Sequence, residues 1–136
     1  MMKLENDNLF HLNIESFSED ITKYIWENLS ERIELNDIKK YDGRYKNSPE
    51  YSKKGSYIYC LFNIDNEVIY IGETGQKLKN RLFSDGNGAH KGKAWLHEVE
   101  YVKYYKDKNM NNDTRKLIER ILILNMRKKY NLYNVI

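Results

Sequence analysis

Three short stretches in the second half of the chain carry the apolar and aromatic patterns of β-strands. The stretch "YIYCLFNI" has high β propensity, and "EVIYIGE" repeats its character after the dipeptide "DN". Asp and Asn tolerate the positive φ that a tight hairpin turn needs. These two stretches therefore predict an antiparallel hairpin, and the partly alternating stretch "HEVEYVKYYK" predicts a third strand.

Three other stretches predict helices. In "SEDITKYIWENLSERIEL" the apolar residues recur at helical spacing, and Ser18 is suited to cap the first turn, where acidic residues match the helix dipole. Thr74 is suited to cap a short helix over "GQKLKNRLF". Asn112 or Asp113 is suited to cap a long final helix over "NDTRKLIERILILNMRKKYN".

The order of these elements predicts an α+β fold built on a small three-stranded antiparallel sheet flanked by helices. Residues 55–136 form this module in the order strand, strand, helix, strand, helix. Residues 1–54 form an N-terminal helical arm and a polar, basic loop, "KKYDGRYKNSPEYSKKG", which holds the only proline. A chain of 136 residues suits one domain with such an arm.

Composition limits the classes of partner and site. The net charge of +3 permits a polyanionic partner without requiring one. Cys60 is the single cysteine, so an intrachain disulfide and a cysteine zinc site are excluded, and we expect it in a buried strand. No apolar run approaches about 18 residues, and the N-terminus lacks a signal-peptide core. We therefore expect a cytoplasmic protein with no membrane contact.

Five polar residues follow the predicted elements in a suggestive order. Tyr59 ends "YIY", Tyr70 begins "YIG", Arg81 lies in the short helix, Glu119 on the last helix and Asn134 in "LYNVI". This set, in this order, resembles the GIY-YIG nuclease family over residues 55–136. The resemblance implies that the two tyrosines, the arginine and the glutamate are catalytic, that the glutamate binds the metal, and that the asparagine is the late asparagine of the family.

The sequence departs from the family pattern at two positions. Tyr57 stands where the first glycine of the family motif is found, although the tyrosine that ends the phrase is present. Asp85 stands four residues after Arg81, where the family often has a histidine or tyrosine. His90, in the glycine-rich loop that follows, is a substitute for that missing helper.

The residue types also suit phosphodiester hydrolysis on physical grounds. The guanidinium of Arg81 stays charged and forks onto two phosphate oxygens. Glu119 is a natural ligand for Mg²⁺ or Mn²⁺, and the residues three and four positions later on its helix are apolar, so it does not lie on a plainly solvated face. A phenol has a pKa near 10 and is a poor base unless a neighbour lowers it. We expect Tyr59 to accept the proton of the attacking water and Tyr70 to orient water or phosphate.

Each of these residues also has an ordinary structural interpretation. The tyrosines suit a sheet core, Arg81 an exposed helix surface, and Glu119 an ion pair with Arg115 one turn earlier. If the turn is centred on "DN", the two tyrosines are not direct cross-strand partners but lie near one end of adjacent strands.

Other residues are candidates for substrate binding. Gly72 has no side chain, so a phosphate can approach the strand there. His90, Lys91 and Lys93 make the glycine-rich loop a candidate surface for the DNA backbone. Asn134 either holds the last segment in place or helps to position the site.

The sequence thus predicts a metal-dependent endonuclease acting on DNA, with double-stranded and single-stranded substrates both open. The alternative is a catalytically impaired nucleic-acid-binding module on the same fold, with Asp85 as the warning sign. A small structural α+β protein with core tyrosines is a third hypothesis. A homodimer and a partner protein bound through the N-terminal arm both remain open.

Overall fold

A computed structural model describes residues 4–84 and 89–134, with backbone only for residues 4–10. The described residues form four α-helices and four strands. The helices are α1 (Leu4–Glu27), α2 (Leu35–Lys40), α3 (Leu78–Phe83) and α4 (Asn112–Met126), and the strands are β1 (Ile33–Glu34), β2 (Tyr57–Phe62), β3 (Val68–Thr74) and β4 (Tyr101–Lys106). Short 3₁₀ turns cover Glu50–Ser52 and Ala94–Glu98.

The four strands form one antiparallel sheet in the order β1-β4-β2-β3. The predicted α+β class, the hairpin and the third strand are confirmed. The hairpin turns where expected, with Asn66 at a φ of 62°. Strand β2 is one of the two interior strands and all six of its residues are buried, so its side chains pack into the core on both faces of the sheet.

The sheet has four strands rather than three because the N-terminal segment adds one. Ser30 donates its backbone N–H to the carbonyl of Tyr104 at 2.7 Å, and its hydroxyl accepts from the Tyr104 N–H at 2.9 Å. Ile33 then pairs with Val102. Pairing with the exposed edge of β4 therefore stabilises an extended conformation in this segment. The periodicity alone predicted that the helix continues through Ile33, and this was wrong.

Helix α1 begins earlier than the sequence indicated. Ser18 is an interior residue of the helix, and its hydroxyl accepts from the amide of Asn125 on α4 at 2.7 Å instead of capping a first turn. The cap of α4 is Asn111, whose side chain accepts from the Thr114 N–H at 2.8 Å, so the cap is neither Asn112 nor Asp113, the two residues that the sequence indicated. Thr74 accepts from the Gln76 N–H and shapes a turn before α3.

Two apolar clusters fill the two faces of the sheet. Helices α1 and α4 cover one face, where Cys60 is buried as expected. Helices α2 and α3 and the 3₁₀ turn Ala94–Glu98 cover the other face, where Tyr59 is completely buried. Ile38 of α2 is 1% exposed within this second cluster, so residues before 55 contribute to the core beneath the candidate site.

The ring of Tyr59 lies directly over Gly72, its partner on β3. A Cβ at Gly72 would overlap the Cζ and the hydroxyl oxygen of Tyr59 and would lie 2.8 Å from its Cε2. The space that we expected to admit a phosphate is therefore filled by the Tyr59 ring. Gly72 is needed because the tyrosine must cross β3 to reach the sheet edge.

We predict that Gly72→Ala lowers the free energy of unfolding by about 2 kcal/mol or more, because both the ring and the strand are buried and neither can yield. Urea denaturation measures the change. Gly92→Ala is the matched control, since a Cβ at Gly92 would meet no atom within 4 Å. Equal stability of the two variants would contradict the packing described here.

Candidate active site

The hairpin register brings Tyr59 and Tyr70 onto the same face of the sheet. Tyr59 pairs with Gly72, and Tyr70 pairs with Leu61, so the two tyrosines are diagonal neighbours rather than direct partners. Their ring centroids lie 6.4 Å apart, with an angle of 23° between the planes. The spacing expected from the turn position is therefore correct.

The hydroxyl of Tyr59 is the point where three elements meet. It lies 2.7 Å from Nε2 of His90, and Nε of Arg81 donates to it at 3.4 Å. Arg81 comes from α3, and His90 is anchored by its backbone N–H, which donates to the Arg81 carbonyl at 2.8 Å. Strand, helix and loop thus place a phenol, an imidazole and a guanidinium in contact.

The hydrogen-bond pattern is compatible with proton donation from Tyr59 to His90. Because Arg81 donates to the phenol oxygen, the phenol proton is free to point at Nε2 of His90. In that arrangement the imidazole carries its own proton on Nδ1. Among the described buried side-chain polar atoms, Nδ1 of His90 has no hydrogen-bond partner, although the residue is only 2% exposed.

Burial controls the protonation of this group. It raises the pKa of Tyr59 well above that of a free phenol, and the nearby Arg81 guanidinium offsets only part of the rise. Burial, with the charges of Arg81 and Lys93, lowers the pKa of His90 to about 4. At neutral pH the phenol therefore keeps its proton and the imidazole is neutral, so the two form a neutral hydrogen-bonded pair.

Glu119 projects from α4 toward the same edge of the sheet and is half-buried. Burial and the negative charge of Glu73 raise its pKa to about 7, while Arg81 and the backbone N–H of Glu73 oppose the rise. Its charge also acts on both tyrosine hydroxyls. The structure therefore brings Tyr59, Tyr70, Arg81 and Glu119 together around one edge of β3.

The buried Arg115 forms an ion pair with Glu73, the carboxylate beside Glu119. Nε of Arg115 donates to the carboxylate of Glu73 at 2.8 Å, and its Nη1 donates to the hydroxyl of Ser56 at 2.9 Å. Asn112 accepts from the remaining nitrogen. The sequence suggested Arg115 as the partner of Glu119, but its partner is Glu73. Glu119 is thereby left available for another cation.

The donor set fits a hard divalent cation. Glu119 offers one half-buried carboxylate whose desolvation disfavours the bare anion, and a bound cation relieves that cost. The described residues hold no cluster of three or more His, Cys, Asp or Glu side chains. A single carboxylate with water in the other positions is how Mg²⁺ is commonly bound, so Glu119 is the residue that would hold it.

The other predicted residues lie at the border of this cluster. Asn134 accepts from the Ile71 N–H at 3.0 Å and donates to the Ile71 carbonyl at 2.7 Å, which fits the first of its two expected roles, holding the last segment. Lys91 and Lys93 are exposed in the loop that carries His90. Asp85 lies outside the described residues.

An aromatic side chain that the sequence analysis did not single out borders the cluster. Trp95 stacks on Tyr70, with centroids 4.9 Å apart and planes 19° apart, and it also contacts the His90 ring at 5.3 Å. Its sequence signal was weak, a lone tryptophan in a basic loop.

No helix in the described part of the chain combines the length and apolar character that crossing a membrane would require.

Comparison with known proteins gives one family match. The model of the GIY-YIG catalytic domain matches residues 55–134, which include every residue of the cluster described above. No curated protein and no solved structure matches the chain significantly.

We predict that His90 destabilises the protein in acid. Because folding lowers its pKa from 6.5 to about 4, its neutral form contributes stability above pH 6.5 that is lost as the pH falls toward 4. Between pH 6.5 and pH 4, the free energy of unfolding of the wild type should fall by up to about 3 kcal/mol relative to that of His90→Gln. Urea denaturation at each pH measures the difference, and His97→Gln at an exposed histidine is the control. A difference that does not vary with pH would refute the prediction.

We predict that Arg115→Met lowers the free energy of unfolding by about 3 kcal/mol, because it leaves the Glu73 carboxylate buried without a countercharge. Adding Glu73→Gln should restore part of that loss. Arg44→Met is the control, since the Arg44–Asp42 pair is exposed and should change stability by less than about 1 kcal/mol. Additive effects of the two buried substitutions would contradict a direct pair.

Proposed function

The chain belongs to the GIY-YIG family, and we therefore propose that it is a metal-dependent endonuclease that hydrolyses phosphodiester bonds in DNA. The family consists of endonucleases, which supports a nuclease function. The observation that carries the proposal for this chain is the contact of the Tyr59 hydroxyl with both His90 and Arg81, beside the half-buried Glu119.

We propose that Tyr59 relays a proton rather than acting as a phenolate base. A buried phenol whose pKa is raised is not ionised at neutral pH. As the water oxygen bonds to phosphorus, the water proton passes to the Tyr59 oxygen while the phenol proton passes to Nε2 of His90. This step starts from a neutral imidazole, as the lowered pKa of His90 gives. The same low pKa makes the imidazole a weak base, so the negative charge that develops on the phosphate must stabilise the imidazolium. His90 thereby fulfils the role expected of the helper that Asp85 replaces.

The remaining residues stabilise the charge that develops on the phosphate. Arg81 offers a permanent positive charge beside both tyrosine hydroxyls, where the non-bridging oxygens would lie. Tyr70 orients the water or the phosphate. Glu119 would hold a divalent cation, Mg²⁺ or Mn²⁺, which would neutralise charge on the phosphate and on the leaving oxygen. The bond to the leaving oxygen breaks, and that oxygen takes a proton from solvent.

The relay also distinguishes this proposal from a catalytically impaired binding module. A module that only binds DNA has no need for a buried phenol–imidazole pair, in which Nδ1 of His90 is left without a hydrogen-bond partner within the described residues at a cost in stability. A cationic surface would be sufficient for binding alone. The geometry of Tyr59 and His90 thus favours hydrolysis.

We predict that the protein nicks supercoiled plasmid or cuts a single-stranded oligonucleotide with Mg²⁺ or Mn²⁺, and that a chelator stops it. Glu119→Gln should abolish cleavage, and Tyr59→Phe should lower the rate by about a hundredfold or more because the relay loses its hydroxyl. Gel electrophoresis measures both effects. Each variant is compared by circular dichroism, so that loss of fold is separated from loss of chemistry.

Two control variants sharpen this experiment. Tyr57→Phe removes a buried hydroxyl whose hydrogen bonds within the described residues go to the backbone carbonyls of Glu50 and Lys53, and it should leave cleavage intact. Glu31→Gln removes an exposed carboxylate and should also have no effect. DNA binding without cleavage by the wild type would point to the impaired module, and neither binding nor cleavage would refute both hypotheses.

A further inference from the structure

A column of nearly parallel aromatic rings runs from the catalytic cluster to the protein surface. Beyond Tyr70, the ring of Trp95 lies 4.9 Å away at 19°, and the ring of Tyr133 lies 5.7 Å beyond it at 8°. Tyr59 begins the column, 6.4 Å from Tyr70. The rings run from complete burial at Tyr59 to 43% exposure at Tyr133.

The outer ring is held in place by polar contacts at both ends. The backbone N–H of Tyr133 donates to the Ile69 carbonyl at 2.8 Å, and its hydroxyl donates to Glu98 at 2.6 Å. Asn134 fixes the following residue to β3. Since Trp95 lies parallel to one face of Tyr133, the exposed part of the tyrosine is its other face and its edge. A fixed, solvent-facing ring is thus presented beside the site.

We propose that Tyr133, backed by Trp95, is a stacking platform for an unpaired base next to the cleaved phosphate. This inference rests on the proposed nuclease function and adds a substrate class, DNA with a single-stranded segment at the cut. Bases within a duplex already stack on their neighbours, so an aromatic ring beside the phosphate gains stacking only from an unpaired base.

The surroundings of the column suit a nucleic-acid strand. Lys91 and Lys93 are exposed on the loop that leads from His90 to the Trp95 turn, so positive charge and aromatic rings follow one another along this edge. The outer ring is only two ring spacings from Tyr70. A base stacked on it therefore belongs to a nucleotide close to the scissile phosphate.

The test uses equilibrium binding in the Glu119→Gln background, so that no strand is cut. The probes are a short single-stranded DNA with one 2-aminopurine and the same DNA as a duplex. Tyr133→Ala should weaken single-strand binding about tenfold and leave duplex binding within about twofold, measured by fluorescence anisotropy. The quenching of 2-aminopurine that stacking causes should also decrease.

Matched variants separate stacking from folding and from the Glu98 contact. Tyr133→Phe keeps the ring and should bind single strands like the parent, whereas Tyr45→Ala removes a more exposed tyrosine of the basic loop and should have no effect. The proposal is overturned if Phe and Ala weaken binding equally, if single strand and duplex are weakened alike, or if Tyr133→Ala changes nothing. Because binding is measured without cleavage, failure here is distinct from failure of the nuclease activity.

Discussion

The hydrogen-bonded hydroxyl of Tyr59 is the constraint on which the other features of the site depend. The phenol starts on β2, crosses β3 where Gly72 leaves room, and ends, still buried, between α3 and the His90 loop. A buried hydroxyl without partners would cost stability, so the arginine and the histidine satisfy it. The contacts that satisfy this hydroxyl are the ones along which we propose that a proton moves at the edge of the sheet.

The charges around this path are arranged so that each carboxylate has a different environment. Arg115 is buried and neutralises Glu73, with Ser56 and Asn112 fixing its orientation. Glu119, one helical turn after Arg115, forms no such ion pair within the described residues and carries a raised pKa. Glu73 therefore belongs to a structural ion pair, whereas Glu119 is suited to bind a cation. The position of Arg115 beside Glu73 causes this difference between the two carboxylates.

Local sequence signals were reliable where one short-range interaction decides the structure. The "DN" turn, the buried strand "YIYCLF" and the final helix follow from turn chemistry, β propensity and periodicity, and the structure has all three. They failed where a distant segment competes. Ser18 was predicted to cap a helix, but its hydroxyl accepts a hydrogen bond from Asn125 inside the helix. Ile33 was predicted to be helical, but it pairs with the edge of β4.

The sequence by itself determined the fold class, the family and the set of residues gathered at the edge of β3, because motif order and element order are properties of the chain. Only the tertiary structure decided what those residues contact. In the structure the Tyr59 ring packs on Gly72, and its hydroxyl contacts His90. Arg115 forms an ion pair with Glu73, and Trp95 stacks on Tyr133. These pairings join residues far apart in sequence, so burial and packing geometry fix them and no local pattern records them.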